Sequence, residues 1–502
     1  MEPILSEQCW WFAYPWRWII LCLSLIGCAA LPPAPPPVDA ESPETTCLKF
    51  YRVLDQTMET RRTLDVRHTR VPGLPFLRTS RFWASFSPAS MTPVTYRAWL
   101  EHQNALAIEG LTLEWLRLPD SQQRALLTLL PDHHDDISAA LIHCGVQMVA
   151  EQALQPRLAP FDVPDHYQGW KRWLGLYPLA ALPFYRGVVE EHRTLNQRQA
   201  GFTPPRSDEP EADPWHYFGQ QNTTPSPNNA LTLLSQQSVD PLGIPLMDAS
   251  TRQQLLTAFQ PTIAVPASDG GLADNDRPLR LSVSKSGDLQ PLLSEPTLYT
   301  DIAYGRYRNQ VTVQLIYSVW FSERRPEGTL DLLAGRYNGI AWRVHLLPSG
   351  AVIGFDKMHQ CGCWYQFFPA MGFRTRPSLA FGQEPFHIGQ PLDPRARLTL
   401  WLESNTHHLL GISTGSVNAS AVPFELANYN ELRALESDNA EPIVAAFDAD
   451  GLLPGSERLE RWIFWPMGIR SPGAMRILGT HAIAFIGRRH FDDPALLDEL
   501  GL

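Results

Sequence analysis

Two hydrophobic periods run along this chain, and one gives way to the other near residue 200. Leu48, Tyr51, Leu54 and Met58 recur at steps of three and four, as do Leu141, Cys144 and Met148. That spacing lays an apolar stripe on one side of a helix. Pro119-Asp120 opens another helical stretch from Gln122 to Leu130, with Asp120 placed as N-cap and Gln123 three residues on, close to a capping box. Beyond Leu279 the period is two. Val311, Val313, Leu315, Tyr317, Val319 and Phe321 alternate with positions that include Thr312, Gln314 and Ser318, which predicts a half-buried strand. Ile340, Trp342, Val344 and Leu346 alternate with Arg343 and His345 in the same way; Pro348-Ser349-Gly350 then turns the chain towards 352–355, and 397–403 is a further strand. The pattern predicts an α+β protein, with a helical domain over 47–200 and a mainly antiparallel β domain, sandwich or barrel-like, over 240–502. Between them, 201–239 is rich in Pro, Asn, Gln and Ser around one aromatic knot, Trp215-His216-Tyr217-Phe218, and reads as an interdomain connection.

The N-terminus has its own logic. Arg17 precedes a short apolar run, Ile19 to Ile26, which ends in Gly27-Cys28, the order of a secretory signal. Leu25-Ile26-Gly27-Cys28 resembles the lipobox of bacterial lipoproteins, in which the cysteine thiol is acylated and the preceding segment removed. This reading makes 1–27 a signal peptide, Cys28 the lipidated residue and 28–46 a tether stiffened by Pro32 to Pro37. Ala29 resembles the sorting position of lipoproteins forwarded to the outer membrane, which places the body in the periplasm and makes the membrane its partner through the lipid. The alternative is an uncleaved signal anchor from Trp10 to Leu31, interrupted by Pro15 and Arg17. Either way the body is exported.

Composition narrows the classes. The 502 residues include 45 prolines and a formal net charge of −11, with no long Lys/Arg run to gather phosphates, so nucleic acid is not an expected partner. Sixteen tryptophans and fourteen tyrosines either fill cores or offer faces to a cell-wall glycan, a peptide or an envelope protein partner.

Several blocks resemble a family of uncharacterised proteobacterial envelope proteins: Gly73-Leu74-Pro75-Phe76-Leu77-Arg78, Arg81-Phe82-Trp83-Ala84-Ser85-Phe86, Trp173-Leu174-Gly175-Leu176-Tyr177-Pro178-Leu179, Asp331-Leu332-Leu333-Ala334-Gly335, His359-Gln360-Cys361-Gly362-Cys363, Phe464-Trp465-Pro466-Met467-Gly468-Ile469 and Gly487-Arg488-Arg489-His490-Phe491-Asp492-Asp493. The resemblance spans nearly everything after Cys47 and implies a shared fold and export, with no activity attached. The family carries His where this chain has Tyr365 or Gln366.

The densest chemical signal is His359-Gln360-Cys361-Gly362-Cys363. Thiolates and imidazole suit zinc or another transition metal, but a closed site needs ligands from elsewhere, for which His407 or His408 and His481 are the candidates. A Cys361–Cys363 disulfide and two inert thiols are the competing states. Cys47 and Cys144 lie on separate helical stripes and are expected to bond, closing a loop of about 100 residues worth up to roughly 4.7 kcal/mol in the chain-entropy model. Arg488, Arg489 and His490 could hold an anion, or belong to a salt-bridged chain exit. Glu457 and Glu460 beside Arg458 and Arg461 read as a charged surface turn, Asp132 to Asp136 as a solvated helix start, and Ser282-Val283-Ser284-Lys285 as a coincidental Ser-x-x-Lys on a strand. No Gly-x-Ser-x-Gly, His-Glu-x-x-His, phosphate loop or dinucleotide fingerprint is present. Three functions follow as expectations: an envelope protein with a Cys/His metal site, a noncatalytic envelope binding module, or a thiol-disulfide protein using Cys361 and Cys363.

Overall fold

A computed structural model describes residues 45–502 apart from 62, 129–135, 206–214, 220–225, 268–270, 378–381, 416–420 and 437–442. The signal peptide, Cys28, the tether as far as 44 and Asp132 to Asp135 lie outside the described residues. Thr45–Leu502 forms one compact unit of the α+β class.

The helical part is built on the predicted stripes. Helix α1 (Thr46–Arg61) buries Cys47, Phe50, Tyr51, Leu54 and Met58. These meet Trp99, Leu111 and Trp115 of α2 (Pro93–Leu116) and Leu141, Cys144 and Met148 of α4 (Ile137–Leu154) in a single core. Thr92 caps α2 ahead of Pro93, and Asp136 caps α4 by accepting from the amides of Ser138 and Ala139 at 3.1 and 3.4 Å. Cys47 and Cys144 are disulfide-bonded with Cα atoms 5.1 Å apart, fastening α1 to α4. Helix α3 (Asp120–Leu127) departs from expectation in one detail: Pro119 occupies the N-cap and Asp120 is already helical, so its carboxylate sits in the first turn. Two further helices, α5 (Gly169–Leu174) and α6 (Tyr177–Gly201), complete this part.

The segment 201–239, expected as a connection, carries regular structure. Its aromatic knot is strand β1 (Trp215–Phe218), and 227–235 forms helix α7 (Pro227–Ser235). Strand β1 pairs antiparallel with β2 (Thr262–Pro266), which follows helix α8 (Ala249–Ala258). Strands β3 (Arg280–Val283) and β4 (Leu289–Leu292) make a separate hairpin. The central sheet is formed by β5 (Thr297–Tyr307), β6 (Gln310–Arg324), β7 (Gly335–Leu346), β8 (Val352–His359) and β9 (Gln366–Pro369). Strands β10 (Leu398–Leu402) and β11 (Leu409–Thr414) join β1 and β2 in the order β11–β10–β2–β1. The last strand, β12 (Glu425–Asn428), closes the six-stranded order β9–β8–β7–β6–β5–β12. All pairings in that sheet are antiparallel except β12 with β5.

Strand β6 corrects the half-buried reading, since every residue from Val311 to Phe321 is buried. Both faces of the sheet are covered. Val313, Leu315, Tyr317, Val319 and Phe321 pack with Trp342 and Val344 against Leu255 and Phe259 of the α8 region and against β2 and β10. On the opposite face, Ile316 and Trp320 meet the β3–β4 hairpin and the chain end through Leu281, Met475, Ile477 and Phe491. Arg343 and His345, which sequence alternation points to solvent, lie on this second face at 1% and 0% exposure.

Candidate functional site

The second face of the sheet is polar at its centre. Arg343 holds Asp356 through both carboxylate oxygens, at 2.9 and 2.6 Å, and its remaining nitrogen reaches the Phe491 carbonyl at 2.6 Å and Gln314 Oε1 at 3.3 Å. His345 Nε2 and the Tyr365 hydroxyl each lie 3.0 Å from the same Asp356 oxygen. Burial pushes the Asp356 carboxyl up, but Arg343 and then His345 pull it further down, to about 2. This group is buried and almost fully paired, the condition under which a buried charge persists.

A second charged network joins the helical part to the strands. Arg433 grips Asp65 at 2.9 and 2.6 Å and also pairs with Glu109 on α2. Arg70 and Arg78 hold Glu114, a turn and a half further along α2, at 2.7 and 2.9 Å. Asp65, Glu114, Arg78 and Arg433 are each at most 2% exposed.

Between these two networks lies a cavity of about 1030 Å³. Its walls come from both parts of the protein: Asp65, Arg67 and His68 after α1, Phe82 and Trp83 ahead of α2 and His102 on it, Asp165 and His166, Thr300 to Tyr304 of β5, Gln314, Arg343, and Arg476, Thr480 and Asp492 near the C-terminus. The lining holds six arginines (67, 70, 252, 343, 470, 476) and six carboxylates (65, 109, 165, 301, 450, 492). Arg67 pairs with Asp301 on β5. Burial, with Arg67 adding to it, holds His68 down at about 3, and its buried Nδ1 has no hydrogen-bond partner. Burial and then Arg81 hold His166 at about 3 as well. Asp492 is pushed up by burial although Arg81 sits 3.2 Å away. Trp83 stacks on His102 with centroids 4.6 Å apart, giving one wall an aromatic face.

The cavity follows the edge of β5. Strand β12 covers that edge only along Thr297–Thr300, and among the described residues no strand pairs with it beyond. The Arg306 amide donates outward to the Pro494 carbonyl at 2.7 Å. In an unbroken antiparallel register residues two apart point the same way, so the backbone groups of Ile302 and Tyr304 also turn away from β6, into the cavity.

The residues predicted for a metal site lie elsewhere, in and near the turn that follows β8. His359 ends β8, and the following turn is closed by His359 N–H to Cys363 O at 3.0 Å. Gly362 there has φ +90, and a Cβ would stand 2.4 Å from the Ala482 carbonyl, so only glycine serves. Cys361 and Cys363 are free thiols, the Cys363 amide donating to Cys361 Sγ at 3.3 Å. His407 stacks on Phe321 at 3.7 Å, with Nδ1 2.8 Å from the Asn338 side-chain amide and Nε2 3.1 Å from Asp276 Oδ1. His481 is held at 3.1 Å from the Gln360 carbonyl. His408 is the one beside His359, ring centroids 5.0 Å apart. Among the described residues no group of three or more His, Cys, Asp or Glu is arranged to hold a metal ion, so the expected five-residue set is not assembled.

Arg488, Arg489 and His490 form the salt-bridged exit: Arg488 pairs with Asp165 at 2.6 Å, Arg489 with Glu499 at 3.5 Å, and His490 lies between Asp165 and Asp493. The expected surface turn is instead half inside, with Arg458 and Glu460 buried beside Cys361. Ser282 lies on β3, so no helical turn brings Lys285 to it.

The chain matches no known family model, no curated protein and no solved structure. Asp65, Arg67, Asp301, Gln314 and Asp356 were not singled out by sequence. The one signal that pointed their way was the charge on alternate positions of a strong strand, as at Arg343.

Proposed function

We propose that this is an exported protein, anchored to the outer membrane through Cys28, whose body is a binding module for an extended peptide or the peptide stem of a cell-wall fragment. The observation that carries this reading is the open edge of β5 running along a cavity of about 1030 Å³. That volume lies at the upper end of small-ligand pockets, enough for several residues of chain. A strand edge with outward amides and carbonyls recognises a peptide by adding it to the sheet, while the walls select its side chains. Equal numbers of arginines and carboxylates suit a ligand carrying both ammonium and carboxylate groups and disfavour a polyanion. The neutral His68 and His166 rings add donors and acceptors without adding charge.

Titrating the full-length protein with three probes tests this: disaccharide-peptides released from cell wall by a muramidase, the free stem peptides, and peptide-free glycan. The two peptide-bearing probes should bind and the bare glycan should not. Ile302→Pro removes one outward amide while sparing the pairing to β6, and should weaken peptide binding about tenfold with an unchanged circular dichroism spectrum. Equal binding of bare glycan, or no effect of Ile302→Pro, overturns the peptide reading.

A further inference from the structure

Helices α5 and α6 bury almost nothing of themselves. Across the six residues of α5 none is buried, and across the twenty-five of α6 only Leu195 is. A solvated helix is expected to be polar all round. Here the outward residues are large and apolar: Trp170, Trp173 at 78% exposure, Leu176, Leu179 and Leu182 at 66%. The short helix 461–464 extends the same surface with Trp462 at 67%, because Phe464 packs on Phe184 of α6 with ring centroids 5.2 Å apart. The face is anchored from beneath, where Arg172 donates to the carbonyls of Met467 and Gly487, so its exposure is not fraying.

Its charge runs against that of the chain. From Gly169 to Val189 there is no Asp or Glu, while Lys171, Arg172 and Arg186 are present, and Arg461 lies over the Trp462 ring at 5.1 Å. The whole protein carries −11. Tryptophans set among leucines and flanked by cations, with carboxylates kept away, are the composition of a surface that settles at the headgroup level of an anionic bilayer.

From these observations we infer that α5, the first half of α6 and the 461–464 turn form a second membrane contact, a monotopic patch that lays the body against a lipid surface. The membrane's identity rests on the anchoring proposed above, but the patch stands on its own chemistry. One anchor chain region fixes the protein to the membrane, and the patch orients it there.

The test uses full-length acylated protein and vesicles of equal phosphatidylethanolamine and phosphatidylglycerol with brominated acyl chains, which quench tryptophan on contact. Wild type is compared with the triple variant Trp170→Phe, Trp173→Phe, Trp462→Phe, whose changes lie at exposed positions. Both proteins should co-sediment with vesicles, and the variant should lose most of the quenchable emission. Co-sedimentation with equal quenching in both overturns the patch and leaves the anchor standing. Failure of wild type to be quenched at all overturns the patch, whether or not it sediments. If the three tryptophans are already shielded without vesicles, by a second copy or by the chain's own N-terminal segment, the lipid assignment is wrong.

Discussion

Within strands β6 and β7, Val313, Leu315, Tyr317, Trp342 and Val344 face α8 and the smaller sheet, while one residue out of step Gln314, Arg343 and His345 face the chain end. The strands are the same and the burial is equally complete, yet one face is held by dispersion and area and the other, at its centre, by a charge pair with four further partners. The difference teaches that alternation marks two environments without saying that either is water. The polar face leads into the cavity, where its Gln314 and Arg343 become part of the wall.

The sharpest way to break the polar face is Asp356→Ala. Arg343 would keep its charge at a 1% exposed position with no carboxylate partner, at a cost of about 3–5 kcal/mol, read as a lowered denaturant midpoint. On the apolar face, Leu315→Ala removes a fully buried side chain and should cost about 3 kcal/mol. A smaller effect is expected from removing the pair together: Arg343→Met with Asp356→Leu should remain within about 2 kcal/mol of wild type, because no unpaired charge is left. If the double variant is as unstable as Asp356→Ala, the pair matters for more than mutual compensation.

The pH dependence sharpens the same contrast. Burial is the largest cause holding His345 below its ordinary value and His481 well below it, the latter helped by Arg476. The unfolded chain therefore takes up protons first, and stability should fall as pH drops below about 6.5. Asp356 works in a lower window: its folded value near 2 lies under the ordinary 3.8, so its contribution is full above about pH 4 and fades as pH falls towards 2. Between pH 7 and 5 the buried Glu384 and Glu460, raised to about 7 and about 8 by burial, act in the opposite sense, so the histidine contribution is read from the difference in melting temperature between wild type and the double variant His345→Gln, His481→Gln; a difference that does not change between pH 7 and 5 would contradict the buried-neutral histidines.

Much of this architecture was legible in the sequence, and the reasons differ for what was not. The helical stripe of α1 and the alternation of β6 and β7 follow from periodicity, and the Cys47–Cys144 bond from two thiols that lie on separate helical stripes. The Arg343–Asp356 pair does not. A hairpin centred on Ser349 sets Arg343 opposite Phe355, and only the bulge between Val352 and Gly354 shifts the register so that Asp356 faces it. Segment 201–239 looked like a connection because it is polar, yet four aromatic-rich residues sufficed for an edge strand. The Cys361 and Cys363 turn is conspicuous in the sequence by its residue types, whereas the cavity draws its charges singly from distant segments such as Asp65, Asp301 and Asp492, leaving no local motif.

Residue-resolved amide exchange on full-length protein, with and without cell-wall disaccharide-peptides, tests the central claim most directly. The amides of Ile302 and Tyr304, which face the cavity beyond the end of β12, should gain protection when the ligand is added, while Ala303, turned towards β6, should be protected in both states. Protection that falls outside the cavity lining, or exchange at Ile302 and Tyr304 that saturating ligand leaves unchanged, would contradict a peptide bound along β5.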